Sequence, residues 1–237
     1  MLSKNQIKNI TRLKQKKYRQ QEGLFIAEGV KVINEFLNSN LKLVDLFTTD
    51  PFNIEDETII TDKDLKKISF LSSPNTALAV FKISETENLN DNGLILALDA
   101  IRDPGNLGTI IRLCDWFGVK QLICSKETVD CYNPKVVQAT MGSLTRVSIH
   151  YTDLEVFLKN TKLPVFGAFM DGVNVYKSTL PKEGVLILGN EANGISKPIE
   201  ASVTNKISIP RFGDLQATES LNVATAGAIL LSEFRRS

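Results

Sequence analysis

Cysteine and histidine are scarce in this chain, and their scarcity removes whole classes of chemistry. The three cysteines, Cys114, Cys124 and Cys131, show no paired spacing, and His150 is the only histidine. Zinc sites draw most of their ligands from these two residue types, so no metal is expected. A Cys/His or Ser/His catalytic pair would need His150, which falls at the end of a strand-like run and is read as a packed or surface side chain. No apolar run is long enough to cross a bilayer, so no membrane role is expected. The opening residues Met1-Leu2-Ser3-Lys4-Asn5-Gln6 lack the apolar centre of a signal peptide, which points to a cytoplasmic protein. Neither Gly-x-Gly-x-x-Gly nor a phosphate loop ending in Gly-Lys-Ser/Thr occurs. Dinucleotide and nucleoside-triphosphate enzymes are thereby disfavoured.

Acid is also missing where base is plentiful. Residues 1–20 carry Lys4, Lys8, Arg12, Lys14, Lys16, Lys17 and Arg19 and no Asp or Glu, although the whole chain has a formal charge of only +1. A basic amino-terminal helix suits contact with a phosphate backbone; a solvated helix face is the plainer alternative. Lys14, Lys16, Lys17 and Arg19 are the candidate contacts to such a backbone.

At 237 residues the chain can bury a proper core in one large domain or two small ones. A helix is expected from 3 to about 18. Strands at 24–27, 42–48, 58–60 and 77–83, with helices at 30–38 and 62–68, make a small α/β unit over 1–84. The polar stretch 85–93 reads as a linker. From 94 to 237 strands and helices alternate, which implies a mostly parallel sheet with helices on both faces. The strand at 94–99 leads through Arg102-Asp103-Pro104-Gly105-Asn106 to a helix beginning near Gly108. Three polar, glycine-containing turns, 102–108, 189–194 and 210–220, follow strands, and in open parallel sheets ligands sit at that end. The last turn opens a helix capped by Thr218 or Ser220. From Leu221 to Leu231 only Asn222 and Thr225 are polar, so that helix is buried.

These turns carry a resemblance. Asn106-Leu107-Gly108-Thr109-Ile110-Ile111-Arg112 matches Asn-x-Gly-x-x-x-Arg. Leu188-Gly189-Asn190-Glu191-Ala192-Asn193-Gly194 matches Leu-Gly-x-Glu-x-x-Gly. Ile209-Pro210 and Ser220-Leu221-Asn222-Val223 match the third motif, Ile-Pro followed by Ser-Leu-Asn-Val. In this order, each after a strand, they resemble the SpoU (TrmH-like) family of RNA ribose 2′-O-methyltransferases, within the knotted SPOUT superfamily. Lys17-x-Arg19, Phe25 and Glu28-Gly29 resemble the family's amino-terminal RNA-binding module.

The resemblance implies a carboxy-terminal α/β trefoil knot that binds S-adenosyl-L-methionine, a homodimer, and an rRNA or tRNA substrate. It implies catalytic roles for Asn106, Arg112, Glu191, Ser220 and Asn222. Leu188, Gly189, Asn190, Gly194, Ile209 and Leu221 are implied at the cofactor, largely through backbone groups. In the family the arginine activates the 2′-hydroxyl; clamping the neighbouring phosphate is the alternative. Rival functions are methyl transfer to a base atom and a non-catalytic RNA-binding scaffold. The loop 211–219 is longer than the family's compact form.

Overall fold

A computed structural model describes residues 2–85, 88–213 and 220–236. The chain divides into two compact units, residues 1–85 with 130–145, and residues 86–129 with 146–237.

The first unit is built on a four-stranded sheet in the order β1-β4-β2-β3, where β1 is Leu24–Glu28, β2 Leu43–Thr48, β3 Glu57–Ile59 and β4 Ala77–Lys82. The central strand β4 is antiparallel to β1 and β2, and β3 joins β2 in parallel. β1 and β4 are largely apolar on both sides because both faces are covered there. Alternation sorts them: Phe25, Ala27, Ala77, Ala79 and Phe81 go to one face, against Val32, Ile33 and Phe36 of α3 (Val30–Leu37). Ile26, Leu78 and Val80 go to the other face, with Ile10 of α1 (Lys4–Arg12) and Leu65 and Ile68 of α4 (Asp62–Ile68).

The expected single helix over 3–18 is two helices, α1 and α2 (Lys16–Glu22). Leu13 is buried between them, and Arg19 accounts for the break. Its Nη1 donates to the carbonyls of Leu13 and Lys14 at 2.8 and 2.9 Å, so those acceptors are satisfied outside a helix. Its Nε and Nη2 donate to the Asp130 carboxylate. Arg19 is 2% exposed. It is therefore corrected from a candidate phosphate contact to a buried structural side chain. Lys14, Lys16 and Lys17 are exposed.

Asp130 opens the segment 130–145, which lies between two stretches of the second unit in sequence yet packs with the first. There Tyr132 lies against Phe25 with ring centroids 4.8 Å apart. Val137, on α6 (Pro134–Thr140), completes the Phe25 cluster.

The second unit is a six-stranded, all-parallel sheet in the order β10-β8-β9-β5-β6-β7. The strands are β5 Leu94–Leu98, β6 Gln121–Ser125, β7 Ser148–Thr152, β8 Val165–Asn174, β9 Gly184–Leu188 and β10 Asn205–Ser208. Ile95, Ala97, Val185 and Ile187 face Leu154 and Leu158 of α7 (Leu154–Asn160) and Ile199 of α8 (Lys197–Glu200). The opposite side takes α5 (Pro104–Trp116) and α9 (Val223–Arg235); Phe234 meets Phe166 edge-on at 5.2 Å. His150 is buried within β7, its Nε2 3.0 Å from Ser148 Oγ.

Candidate active site

β5 and β9 are neighbours, and the chain leaves them toward opposite edges of the sheet, β5 toward β6 and β7, β9 toward β10. Such a reversal opens a crevice at the carboxyl ends of the two strands. Asp99 N donates to Leu188 O at 2.9 Å there, joining the strand ends. The buried Asp99 carboxylate accepts from Ser196 N at 2.7 Å and anchors the far side of the loop after β9. Asp99 belongs to none of the three motifs. An acid directly after an unbroken apolar strand is the signal that would have found it, because a buried carboxylate needs partners.

The loop after β9 closes on itself. Asn190 and Gly194 exchange backbone hydrogen bonds at 2.9 Å. Asn190 Oδ1 accepts from the amides of Ala192 and Asn193, and its Nδ2 donates to Ala100 O at 2.7 Å. A Cβ at Gly189 would lie 2.2 Å from Gly194 C and 2.3 Å from Ile195 N, both backbone atoms, and Gly194 sits at φ +67°. Only glycine fits at 189, and the left-handed backbone at 194 favours it.

Helix α5 starts at Pro104, four residues before the expected Gly108. Asp103 caps it, accepting from Asn106 N at 2.8 Å, and proline fills the first helical position. Gly105, Asn106 and Gly108 therefore lie in a helix rather than a turn. Asp-Pro is a helix-start signal, and the glycines around it obscured the signal. The cap of α9 is Asn222, whose Oδ1 accepts from Ala224 N at 3.0 Å and Thr225 N at 3.2 Å. Ser220, expected as a possible cap, is exposed upstream; Thr218 lies outside the described residues.

The three motifs meet through side chains. Asn222 Nδ2 donates to Asn106 Oδ1 at 2.9 Å, and Asn106 Nδ2 donates to Glu191 Oε1 at 2.9 Å. At the other end of the same helices, Arg235 donates to the carbonyls of Phe117 and Gly118 at 2.8 and 3.1 Å. α5 and α9 thus run parallel, and both positive N-termini converge on the corner that holds the Glu191 carboxylate.

Arg112 is on α5, six residues after Asn106, which at 100° per residue places it about 120° around the helix axis from Asn106. It is exposed, and among the described residues it makes no hydrogen bond or ion pair. Ser220 and Leu221 lead into the α9 cap, with Leu221 49% exposed, and Ile209 is half-buried at the end of β10. Leu188 is buried at the end of β9, its Cδ1 3.0 Å from a Cβ built on Gly227 of α9. Apolar side chains beside close-turning backbone suit a flat heteroaromatic ring with polar edges, the form of an adenosyl group. Among the described residues no group of His, Cys, Asp or Glu could hold a metal ion, and no helix is long and apolar enough to cross a membrane.

The family model for the SpoU rRNA methylase family matches residues 93–232. The chain belongs to this family. A model described as an MRM3-like substrate binding domain matches residues 4–88. The 23S rRNA (guanosine(2553)-2′-O)-methyltransferase RlmP of Bacillus subtilis is 27% identical over 245 residues, covering 98% of this chain and 97% of that one. A protein from Porphyromonas gingivalis assigned to the TrmH family of RNA methyltransferases has a solved structure that superposes with a TM-score of 0.89. It is 37% identical, covering 100% of this chain and 99% of its own. An AdoMet-bound rRNA methyltransferase from Sinorhizobium meliloti superposes at 0.87 with 28% identity, covering 100% and 97%. The fold is that of the SpoU methyltransferases, an α/β fold whose parallel sheet carries the trefoil knot.

Proposed function

We infer that the protein transfers the methyl group of S-adenosylmethionine to the ribose 2′-hydroxyl of a nucleotide in structured RNA. The observation that carries this reading is the hydrogen-bonded series Asn222–Asn106–Glu191, which locks the three SpoU motifs into one corner of the sheet. Ribosomal RNA is the substrate we assign, supported by the likeness to RlmP over nearly the full length of both chains. The cytoplasm is the compartment we assign, because bacterial-type ribosomal RNA is made there.

When bound, the cofactor supplies an electrophilic methyl group on its sulfonium. The chain has to hold that group and bring a weak nucleophile in line with it. We assign the cofactor to Leu188, Gly189, Asn190, Gly194, Ile209 and Leu221. Asn106, Glu191 and Asn222 fix the corner, and Ser220 borders it. Arg112, with its planar fork unengaged, suits a bidentate grip on a substrate phosphate. That grip orients the neighbouring 2′-hydroxyl without requiring the guanidinium to lose a proton. Lys14, Lys16 and Lys17 add sequence-independent attraction to the backbone.

A homodimer is part of this reading. The α5–α9 pair leaves Trp116 83% exposed and Ala226, Ala228 and Ile229 short of full burial, and a second copy would cover them.

The test is transfer from labelled S-adenosylmethionine to ribosomal RNA from a strain lacking the gene, followed by nucleoside mass spectrometry. A 2′-O-methylnucleoside is expected. A base-methylated product, or RNA binding without transfer, would establish one of the rival functions instead.

A further inference from the structure

Two exposed aromatic rings beside the cofactor motif belong to none of the three motifs. Tyr176 lies in a short 3-10 turn after β8, anchored by the fully buried Val175 and by Asn174 Oδ1, which accepts from Tyr176 N at 2.9 Å. Phe212 follows Ile209 by three residues. The ring centroids are 6.4 Å apart and the planes are inclined by 32°. Tyr176 covers little of its neighbour, since Phe212 remains 82% exposed. Leaving a phenyl ring in water forgoes the favourable free energy of its burial. Two such rings in contact make an exposed apolar patch that a ligand could cover.

The backbone joins the two segments that carry the rings. β10 pairs with β8 through a register shift between Lys206 and Ile207, and Gly172 lets the Ile207 backbone come close, a Cβ there lying 2.5 Å from Ile207 C. Ile209 of the third motif follows β10 directly, and Phe212 comes three residues later. Both rings have a cationic neighbour in sequence, Lys177 and Arg211. Flat π faces flanked by cations are what an unstacked nucleobase and its phosphates require. An acceptor nucleotide held at the cofactor brings its neighbours in the RNA chain close to the third motif, and an unstacked base among them could lie on the rings.

We propose that Tyr176 and Phe212 form a stacking platform for an unpaired base of the RNA substrate, next to the nucleotide that receives the methyl group. The proposal rests on the RNA methyltransferase reading above. It adds a determinant that favours a loop or bulge over a regular helix.

Fluorescence anisotropy with ribosomal RNA from a strain lacking the gene measures binding apart from transfer. Phe212→Ala and Tyr176→Ala should each weaken RNA binding by about 5- to 150-fold, the range for loss of one base–aromatic stack. S-adenosylmethionine affinity by calorimetry should stay at the parent value. Phe212→Trp should keep parent binding, whereas Phe212→Leu, apolar without a π face, should fail like alanine. Parent RNA affinity in the Leu variant would overturn the platform. So would a change of sedimentation coefficient in the Ala variants, which would make the rings a protein–protein contact. If the parent binds RNA but transfers nothing, the catalytic reading fails while the binding series still decides the platform.

Discussion

Replacing Arg19 by alanine should remove a large part of the first unit's stability while leaving its electrostatic attraction to RNA intact. The guanidinium is 2% exposed, and its donors go to two carbonyls and to the Asp130 carboxylate. Alanine leaves the carbonyls of Leu13 and Lys14 without this donor and strips the carboxylate of its counter-ion. Removing one partner of a buried ion pair costs about 3–5 kcal/mol. The Asp130 side chain is 15% exposed, and its Oδ1 still accepts from Tyr132 N at 3.2 Å, which favours the lower figure. A loss of about 3 kcal/mol is large against a domain stability of about 5–15 kcal/mol. With a urea slope of about 1–3 kcal/mol per molar, it moves the midpoint by about 1–3 M.

The assay is urea unfolding by circular dichroism, with hydrogen exchange on peptides from 1–28 and 130–145 to place the loss. Arg19→Lys should fall in between, because an ammonium cannot span both carbonyls and the carboxylate in one plane. In parallel, the dependence of RNA affinity on salt should be unchanged for Arg19→Ala. It should flatten when Lys14, Lys16 and Lys17 are neutralised together, by about 0.7–0.9 in slope for each phosphate that is no longer neutralised. A midpoint for Arg19→Ala within about 0.3 M of the parent, a small fraction of the calculated shift, would refute the structural role. A flattened slope for that variant would return Arg19 to the RNA-binding set.

Arg112→Ala should keep S-adenosylmethionine affinity and lose transfer by roughly 100-fold or more, and Arg112→Lys should be severely impaired too; loss of cofactor binding by a folded variant would move Arg112 into the cofactor site. Gly189→Ala should do the reverse and abolish cofactor binding in calorimetry, because its Cβ meets backbone at 2.2 Å and the loop has no side chain to shift aside; near-parent affinity would show that the loop is not the cofactor cradle. Glu28 is pushed above the ordinary carboxylate range by burial, against the opposing hydrogen bonds from Ser69 Oγ and Phe70 N. Its folded form thus holds a proton more tightly than the unfolded chain, so stability should fall as pH rises from the ordinary carboxylate value through the raised one. Glu28→Gln should flatten that part of a thermal-melting pH series, and an unchanged slope would remove Glu28 as its source.

Local signals carried most of the strand and helix positions. The helix at 62–68 and the strand starting at 94 fall where periodicity and punctuation put them, because both depend on neighbours in sequence. The start of α5 is a local signal hidden by its glycines, and two other misplaced features depend on distant partners. Arg19 looks like its exposed neighbours until Asp130, 111 positions away, supplies the carboxylate. The packing of 130–145 with the first unit has no local signature either. Pro134 announces a helix, but Val137 does not say which sheet it will cover. At the site, the motifs name the residues and not their connections. The third motif implies a catalytic role for Asn222 without saying what it touches; its hydrogen bonds cap a helix and reach Asn106.

Those connections explain why asparagine, rather than aspartate, suits both positions. The Asn222 oxygen is committed to two amides at the start of α9, so its nitrogen must face Asn106. The Asn106 oxygen accepts from it, so the Asn106 nitrogen must face Glu191. Glu191, as a carboxylate, accepts only, and the series ends there. Each amide has one permitted orientation, fixed by its predecessor. Aspartate at 106 would set carboxylate against carboxylate; at 222 it could still cap α9 but would have no donor for Asn106. The series therefore transmits the position of the α9 N-terminus to the loop after β9 through two rigid amides. A site assembled from three remote stretches of chain acquires a single geometry in this way, before any substrate arrives.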